Sequence, residues 1–196
     1  PDDVPLSFAW SMALLYQDRI QEADQYAKKA EATGLETRKL LMQRGKLAWS
    51  LGRYEEAAQY FQRLIDRSPD DEAAAYYLIL ATASDEQDDV RQKAHQMAEK
   101  FASDHPKSPA AVAALGYSLH ALRQNTEAER VLSTIASHTS LPPEILLTYG
   151  KVLAVNGKVR EAKGIAQRLN ENMINYKVFL ARSAARKWID SILALP

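Results

Sequence analysis

Small residues recur along this chain at a nearly constant interval. Five alanines are separated by 34, 37, 34 and 34 residues, namely Ala23, Ala57, Ala94, Ala128 and Ala162. Gly45, Gly116 and Gly150 follow the same phase. A period of this length indicates an array of repeats in which neighbours bury one another's apolar faces, because one repeat alone has too little core.

Residues 36–71 show the repeat most clearly. Their apolar positions recur at spacings of three and four on either side of Gly52, which predicts two helices joined by a tight turn. Gly45 falls in the middle of the first helix, where glycine costs about 1 kcal/mol relative to alanine. We therefore expect Gly45 to admit a close approach of the second helix, with Ala57 as the matching small residue. Pro69 cannot continue the second helix and is suited to ending the repeat.

Two parts of the chain depart from this unit. The third repeat has three extra residues, which we place in a turn at 84–89 between helices at about 71–84 and 89–104. Residues 176–194 read as a single amphipathic helix that caps the last pair. The predicted fold is all-α, with five repeats at approximately 4–35, 36–71, 72–108, 109–142 and 143–174, followed by the capping helix.

The pattern resembles the tetratricopeptide repeat (TPR) over nearly the whole chain. In the second repeat the family's signature positions are filled by Leu41, Gly45, Gly52, Tyr54, Ala57, Phe61, Leu64 and Pro69. The resemblance implies a right-handed α-solenoid whose concave groove is lined mainly by the first helix of each repeat. It also implies a partner protein or peptide as the ligand.

Transferring that geometry position by position gives a groove rich in aromatic and methionine side chains. These side chains offer a large contact area at low entropic cost, which suits an extended segment or an amphipathic helix. The predicted groove residues are Phe8, Met12, Tyr16, Met42, Lys46, Trp49, Tyr76, Tyr77, Leu80, Tyr117, His120 and Lys151.

Composition restricts the function class. The formal net charge of the 196 residues is zero, which argues against a nucleic-acid binder that neutralises phosphates. No apolar run is long enough to cross a bilayer. The first residue is proline rather than methionine, so we interpret the sequence as a fragment of a longer protein. A soluble, cysteine-free chain suits either the cytoplasm or the periplasm, and the compartment stays open.

The sequence contains no recognisable catalytic or metal-binding constellation. Its four histidines, at positions 95, 105, 120 and 138, lack the spacing of a zinc-binding helix. The acidic stretch at 85–89 lacks the central glycine and terminal glutamate of a calcium loop. We therefore expect no catalytic residues, no cofactor and no metal.

These observations favour a non-enzymatic scaffold or adaptor of bacterial style that binds a protein segment in its groove. Two alternatives stay open. One is a periplasmic scaffold of an exopolysaccharide synthesis and export system, in which polysaccharide would be a ligand. The other is a regulatory segment fused to an enzyme that lies outside this sequence.

Overall fold

The computed structural model describes residues 4–34, 36–136, 141–172 and 182–195, all of which are helices, turns or short connections. The chain divides into an N-terminal unit, Pro1–Asp85, and a C-terminal unit, Glu86–Pro196. The N-terminal unit contains α1 (Val4–Tyr16), α2 (Ile20–Glu31), α3 (Arg38–Ser50), α4 (Tyr54–Arg67) and α5 (Glu72–Ala83). The C-terminal unit contains α6 (Asp88–Asp104), α7 (Pro109–Ala121), α8 (Asn125–Ser133), α9 (Pro143–Val155), α10 (Val159–Asn172) and α11 (Arg182–Leu193).

Two kinds of helix start alternate in phase with the repeat. Thr37, Asp71 and Ser108 each accept a hydrogen bond from a backbone amide three residues ahead and so cap α3, α5 and α7. The second helices α2, α4, α8 and α10 instead follow a three-residue turn with one left-handed residue. That residue is Gly52 before α4 and Gly157 before α10, which is why glycine recurs there.

The predicted close approach at Gly45 is confirmed. A Cβ atom built on Gly45 would lie 2.5 Å from Cε1 of Phe61, so only glycine lets α3 and α4 pack at this distance. Gly116 makes the same approach to Leu132 across α7 and α8. The five phased alanines are fully buried, as their recurrence predicts. The apolar core of each unit therefore lies between the two helices of its hairpins and between successive hairpins.

The placement of the three extra residues in the turn at 84–89 was wrong. The turn between α5 and α6 has four residues, 84–87, against three in the other hairpins. Most of the insertion forms an additional helical turn, because Ala94 is the seventh residue of α6 whereas Ala57 is the fourth of α4. Asp88 and Asp89 favour this outcome, since negative charge stabilises a helix N-terminus.

The predicted capping helix is present over Arg182–Leu193, and residues 173–181 lie outside the described part of the chain. Ala185, Ile189 and Ile192 are buried. Trp188 lies against Gly150, where an added Cβ atom would overlap the indole ring. The end of the C-terminal unit is thus closed by an aromatic side chain that fits the space left by a glycine.

Candidate functional site

The first helices of the N-terminal unit are linked to one another by side-chain hydrogen bonds. Gln43 of α3 donates through Nε2 to Oγ of Ser11 on α1 over 2.6 Å, and Ser11 in turn donates to the carbonyl of Ala23. Trp49 donates through Nε1 to Oγ of Ser84, just after α5, over 2.9 Å. These bonds fix α1, α3 and the end of α5 relative to one another.

Five predicted groove residues remain half-exposed on these helices. They are Phe8, Met12, Met42, Lys46 and Trp49. Phe8 is equivalent to Met42 in the next repeat, and Met12 is equivalent to Lys46. We call this set the first-helix surface of the N-terminal unit. Tyr16 is more exposed, at 42%. The surface combines apolar side chains with one ammonium group.

Three other predicted groove residues, Tyr76, Tyr77 and Leu80, are buried in α5. The ring of Tyr77 stacks on Phe61 with centroids 5.5 Å apart, and Tyr76 meets Tyr77 edge to face at 5.0 Å. The ammonium of Lys46 lies 4.3 Å from the Tyr77 ring centroid. These two tyrosines therefore pack beneath the first-helix surface and offer little area of their own.

In the C-terminal unit the predicted residues Tyr117, His120 and Lys151 are each half-buried. Nδ1 of His120 lies 2.6 Å from Oδ1 of Asn125, which ties α7 to the start of α8. Burial holds the pKa of Lys151 below its usual range.

Sequence reasoning missed a cluster of charges around Arg44 between α2, α3 and α4. Arg44 is only 2% exposed. Its guanidinium donates to Asp24, to Glu31 over 2.8 Å and to Glu56 over 3.1 Å, and it also meets the hydroxyl of Tyr60.

Three further cations belong to this Arg44 cluster. Arg53 bridges Asp24 and Glu56 at 2.7 Å each, and Lys28 lies 3.1 Å from Asp24. Burial raises the pKa of Asp24, but the hydrogen bond from Lys28 and the charges of Arg44 and Arg53 outweigh it and hold that pKa below its ordinary value. Arg63 lies 3.5 Å from Glu31, so three carboxylates face four cations.

A signal for the cluster exists in the sequence. Arg44 directly precedes Gly45, and the equivalent places of the other repeats hold only apolar or aromatic residues, namely Trp10, Leu78, Leu115 and Tyr149. One arginine in an otherwise apolar row predicts a buried partner set, since an unpaired buried charge is too costly.

A histidine, a serine and a glutamate also come together between α6 and α7. Nδ1 of His95 lies 3.0 Å from Oγ of Ser118, and Nε2 lies 3.6 Å from Glu99. Ser118 is fully buried and its hydroxyl donates to the carbonyl of Leu115. The hydroxyl proton is thus engaged by the backbone, so this contact serves packing rather than nucleophilic attack.

Two open clefts in the C-terminal unit are lined mainly by polar and charged residues. One, of about 570 Å³, is lined by the ion pairs Glu127–Arg130 and Glu129–Lys158. The other, of about 460 Å³, lies between the start of α6 and the turn before α8. In the described residues, no group of three or more metal-ligating side chains comes together. No helix there combines the length and apolarity needed to cross a bilayer.

The helices are paired by short turns that contain one residue in the left-handed conformation, and small residues lie at the helix crossings. These features define a helical-repeat protein. Residues 8–72, about a third of the chain, match the family model described as the tetratricopeptide repeat. Proteins of this class generally act as protein-interaction scaffolds and are typically non-enzymatic.

Solved structures share the fold at low sequence identity. A thermophilic TPR protein of Thermus thermophilus is 16% identical, with a TM-score of 0.73 over 98% of this chain and 100% of that one. A tetratricopeptide repeat protein of Parabacteroides merdae is 17% identical, with a TM-score of 0.63 over 98% and 80%. MamA of Desulfovibrio magneticus RS-1 is 17% identical, with a TM-score of 0.54 over 90% and 98%. No curated protein sequence matches the chain.

Proposed function

We propose that this chain is a non-enzymatic scaffold that binds a segment of a partner protein on the first-helix surface of its N-terminal unit. The observation that carries the proposal is the half-exposure of Phe8, Met12, Met42 and Trp49 on hydrogen-bonded helices. Side chains of this kind dominate the energetics of protein interfaces.

The charge distribution of the unit supports the same surface. Helix α1 carries no charged residue, α3 carries four basic and no acidic residues, and α5 carries only Glu72. The second helices α2 and α4 carry five charged residues each. Charged residues are depleted at the centres of interfaces. The first helices therefore suit a partner better than the second helices do.

The framework makes such a surface rigid before binding. Lys46 lies over Tyr77, and Trp49 is oriented by its bond to Ser84. Side chains that are already ordered lose less entropy when a partner binds. We therefore expect the ligand to be a peptide segment or helix that lies across α1 and α3.

The proposal is tested by affinity capture from a lysate of the source organism, followed by direct binding to the purified partner. We expect Met12→Ala/Met42→Ala to lose a protein that the native chain retains. The matched control is Met97→Ala, because Met97 is half-exposed on a second helix, α6. Circular dichroism verifies that each variant is folded.

Equal capture by the double variant and the native chain would overturn the proposed surface. Retention of polysaccharide rather than protein, followed by loss of that retention in the double variant, would favour the polysaccharide-export alternative.

A further inference from the structure

The part of α3 that solvent reaches is a single stripe along the helix. Between residues 40 and 48, every residue is buried except Met42 and Lys46. Lys39 near the start of α3 and Trp49 near its end continue the stripe, so that its four members are three, four and three residues apart. That spacing keeps side chains on one face of a helix. This α3 stripe therefore alternates a lysine with an apolar side chain.

The α3 stripe is positively charged. Helix α3 contains four basic residues and no acidic residue. Two of the four are engaged elsewhere, since Arg38 pairs with Asp71 at 2.6 Å and Arg44 lies at the centre of its buried cluster. Lys39 is exposed and makes no ion pair with any other residue that the structure describes. Its ammonium group is thus available to a ligand.

Lys46 places the second charge at a defined position. Its ammonium lies 4.3 Å from the centroid of the Tyr77 ring, and that ring is itself stacked on Phe61. An aromatic face attracts an ammonium group without neutralising it. The seven residues from Lys39 to Lys46 make two helical turns, or about 10 Å along the axis. Helix α3 therefore presents two positive charges at a helical spacing.

The neighbouring first helix offers a different chemistry. In α1 the places of Met42 and Lys46 are taken by Phe8 and Met12, both half-exposed, and α1 carries no Asp, Glu, Lys or Arg. A ligand that touches both helices meets only apolar side chains on α1 and alternating lysines on α3. A basic ligand would be repelled by these lysines, and an uncharged one would bring them no opposite charge.

We propose that the partner segment is an acidic amphipathic helix. Two of its carboxylates, seven residues apart, pair with Lys39 and Lys46, and its apolar side chains pack on the rest of the first-helix surface. A helix suits the α3 stripe because its own side chains repeat at the same spacing of three and four residues. The inference rests on the proposed function, because it names the chemistry of the segment that binds there.

The test uses the 196-residue chain and a synthetic amphipathic peptide of about 18 residues, long enough to form a helix on binding. The peptide has a leucine face and, beside it, two glutamates seven residues apart. Acetylation and amidation remove its terminal charges. Two matched peptides carry glutamine or lysine in place of both glutamates. Fluorescence anisotropy at low salt measures the three dissociation constants.

We expect the glutamate peptide to bind about tenfold more tightly than the glutamine peptide, because one exposed charge pair contributes up to about fivefold. The lysine peptide should bind most weakly. Raising the salt concentration to about 0.5 M should remove most of these differences, since mobile ions screen exposed charges.

Charge reversal on the protein locates the two cations. Lys39→Glu/Lys46→Glu should invert the order of the peptides, so that the lysine peptide binds most tightly. The control is Lys93→Glu/Lys100→Glu, which changes the net charge by the same amount. Lys93 and Lys100 are also seven residues apart and exposed, but they lie on a second helix, α6. This control should keep the native order, and circular dichroism verifies that both variants are folded.

Equal affinity of the native chain for the glutamate and lysine peptides, or binding of neither up to about 1 mM, would overturn the inference. So would an order of affinities that the control changes as much as Lys39→Glu/Lys46→Glu does. The three peptides are compared on the native chain, so misfolding of a variant does not remove the test.

The Met12→Ala/Met42→Ala variant separates this inference from the proposed function. If the three peptides bind the native chain equally and this variant binds none of them, the inference fails and the proposed surface stands. Peptide binding that persists unchanged in the variant would overturn both.

Discussion

The Arg44 cluster of the N-terminal unit has a counterpart in the C-terminal unit that lacks its central residue. Three members recur 105 residues later, with Glu129 for Asp24, Lys158 for Arg53 and Glu161 for Glu56. Glu129 pairs with Lys158 at 2.5 Å, as Asp24 pairs with Arg53 at 2.7 Å. At the centre, Tyr149 takes the place of Arg44.

The two regions show that the repeat places their side chains at equivalent positions. The residue at the central position, Arg44 or Tyr149, determines which interactions those side chains make. Burial, followed by the negative charges of Glu129 and Glu161, raises the pKa of Tyr149, so the phenol lies near the same carboxylates but stays neutral. In the N-terminal unit the guanidinium binds carboxylates from two helices, α2 and α4. A buried arginine joins the hairpins there, whereas a half-buried tyrosine fills the place in the C-terminal unit.

Replacing Arg44 should have the largest effect. Arg44→Ala removes the buried guanidinium that Asp24, Glu31 and Glu56 share, and breaking such a buried pair costs about 3 to 5 kcal/mol. Tyr149→Ala removes a neutral, half-buried side chain and should cost about 1 to 2 kcal/mol. Urea unfolding measures both free energies of unfolding.

Arg130→Ala is the control for loss of an arginine, because its pair with Glu127 is exposed. We expect a change within about 0.5 kcal/mol. An Arg44→Ala protein as stable as the native chain would show that the Arg44 cluster does not hold the hairpins together.

The second prediction compares crossings that the two units share. Ala57 in the N-terminal unit and Ala128 in the C-terminal unit are both fully buried. Replacing either with leucine should overpack a helix crossing and cost about 1 to 3 kcal/mol. Ala58→Leu, at a half-exposed position, should cost less. Thermal melting of the three variants checks this order, and equal melting temperatures would show that the crossings tolerate larger residues.

Acid should weaken the Arg44 cluster, in which Asp24 and Glu31 both have a lowered pKa, more than its counterpart, in which hydrogen bonds from Lys158 and Asn156 lower the pKa of Glu129. Burial raises the pKa of Glu31, but hydrogen bonds from Tyr60 and Arg44 outweigh it and lower the pKa. A lowered folded-state pKa contributes stability above the unfolded value of about 4, and that contribution is lost as the pH falls through the folded value. Asp24 behaves in the same way.

We therefore expect the free energy of unfolding to fall between about pH 5 and pH 3, and the fall to be smaller in Glu31→Gln. Urea unfolding across this range measures it, with amide exchange in α2 and α8 reporting on each unit. A pH profile that is identical in Glu31→Gln and the native chain would contradict a role for this carboxylate.

Sequence patterns could predict the features that depend on backbone spacing. The repeat period identifies the helical hairpins. Gly45 and Ala57 identify a close helix crossing, because a small side chain lets the facing helix approach. The Arg44 cluster escaped notice because its members come from three helices, and only the structure brings their side chains together. Tyr76 and Tyr77 share the phase of the groove residues but are buried, because nearly all of α5 is apolar.

The smallest effect is expected in the turns that the two units have in common. Asp18 and Arg123 occupy the left-handed position that Gly52 and Gly157 fill in other hairpins, with φ of 60° and 62°. A residue with a Cβ atom is strained there, so Asp18→Gly and Arg123→Gly should each raise the free energy of unfolding by about 0.5 to 1 kcal/mol. Arg123→Gly should gain more, because aspartate tolerates this conformation better than arginine does. Differential scanning calorimetry measures the gain, and Arg123→Ala is the control, since alanine retains the strain. If Arg123→Ala stabilises the chain as much as Arg123→Gly, the gain comes from removing the arginine side chain and not from relief of the backbone.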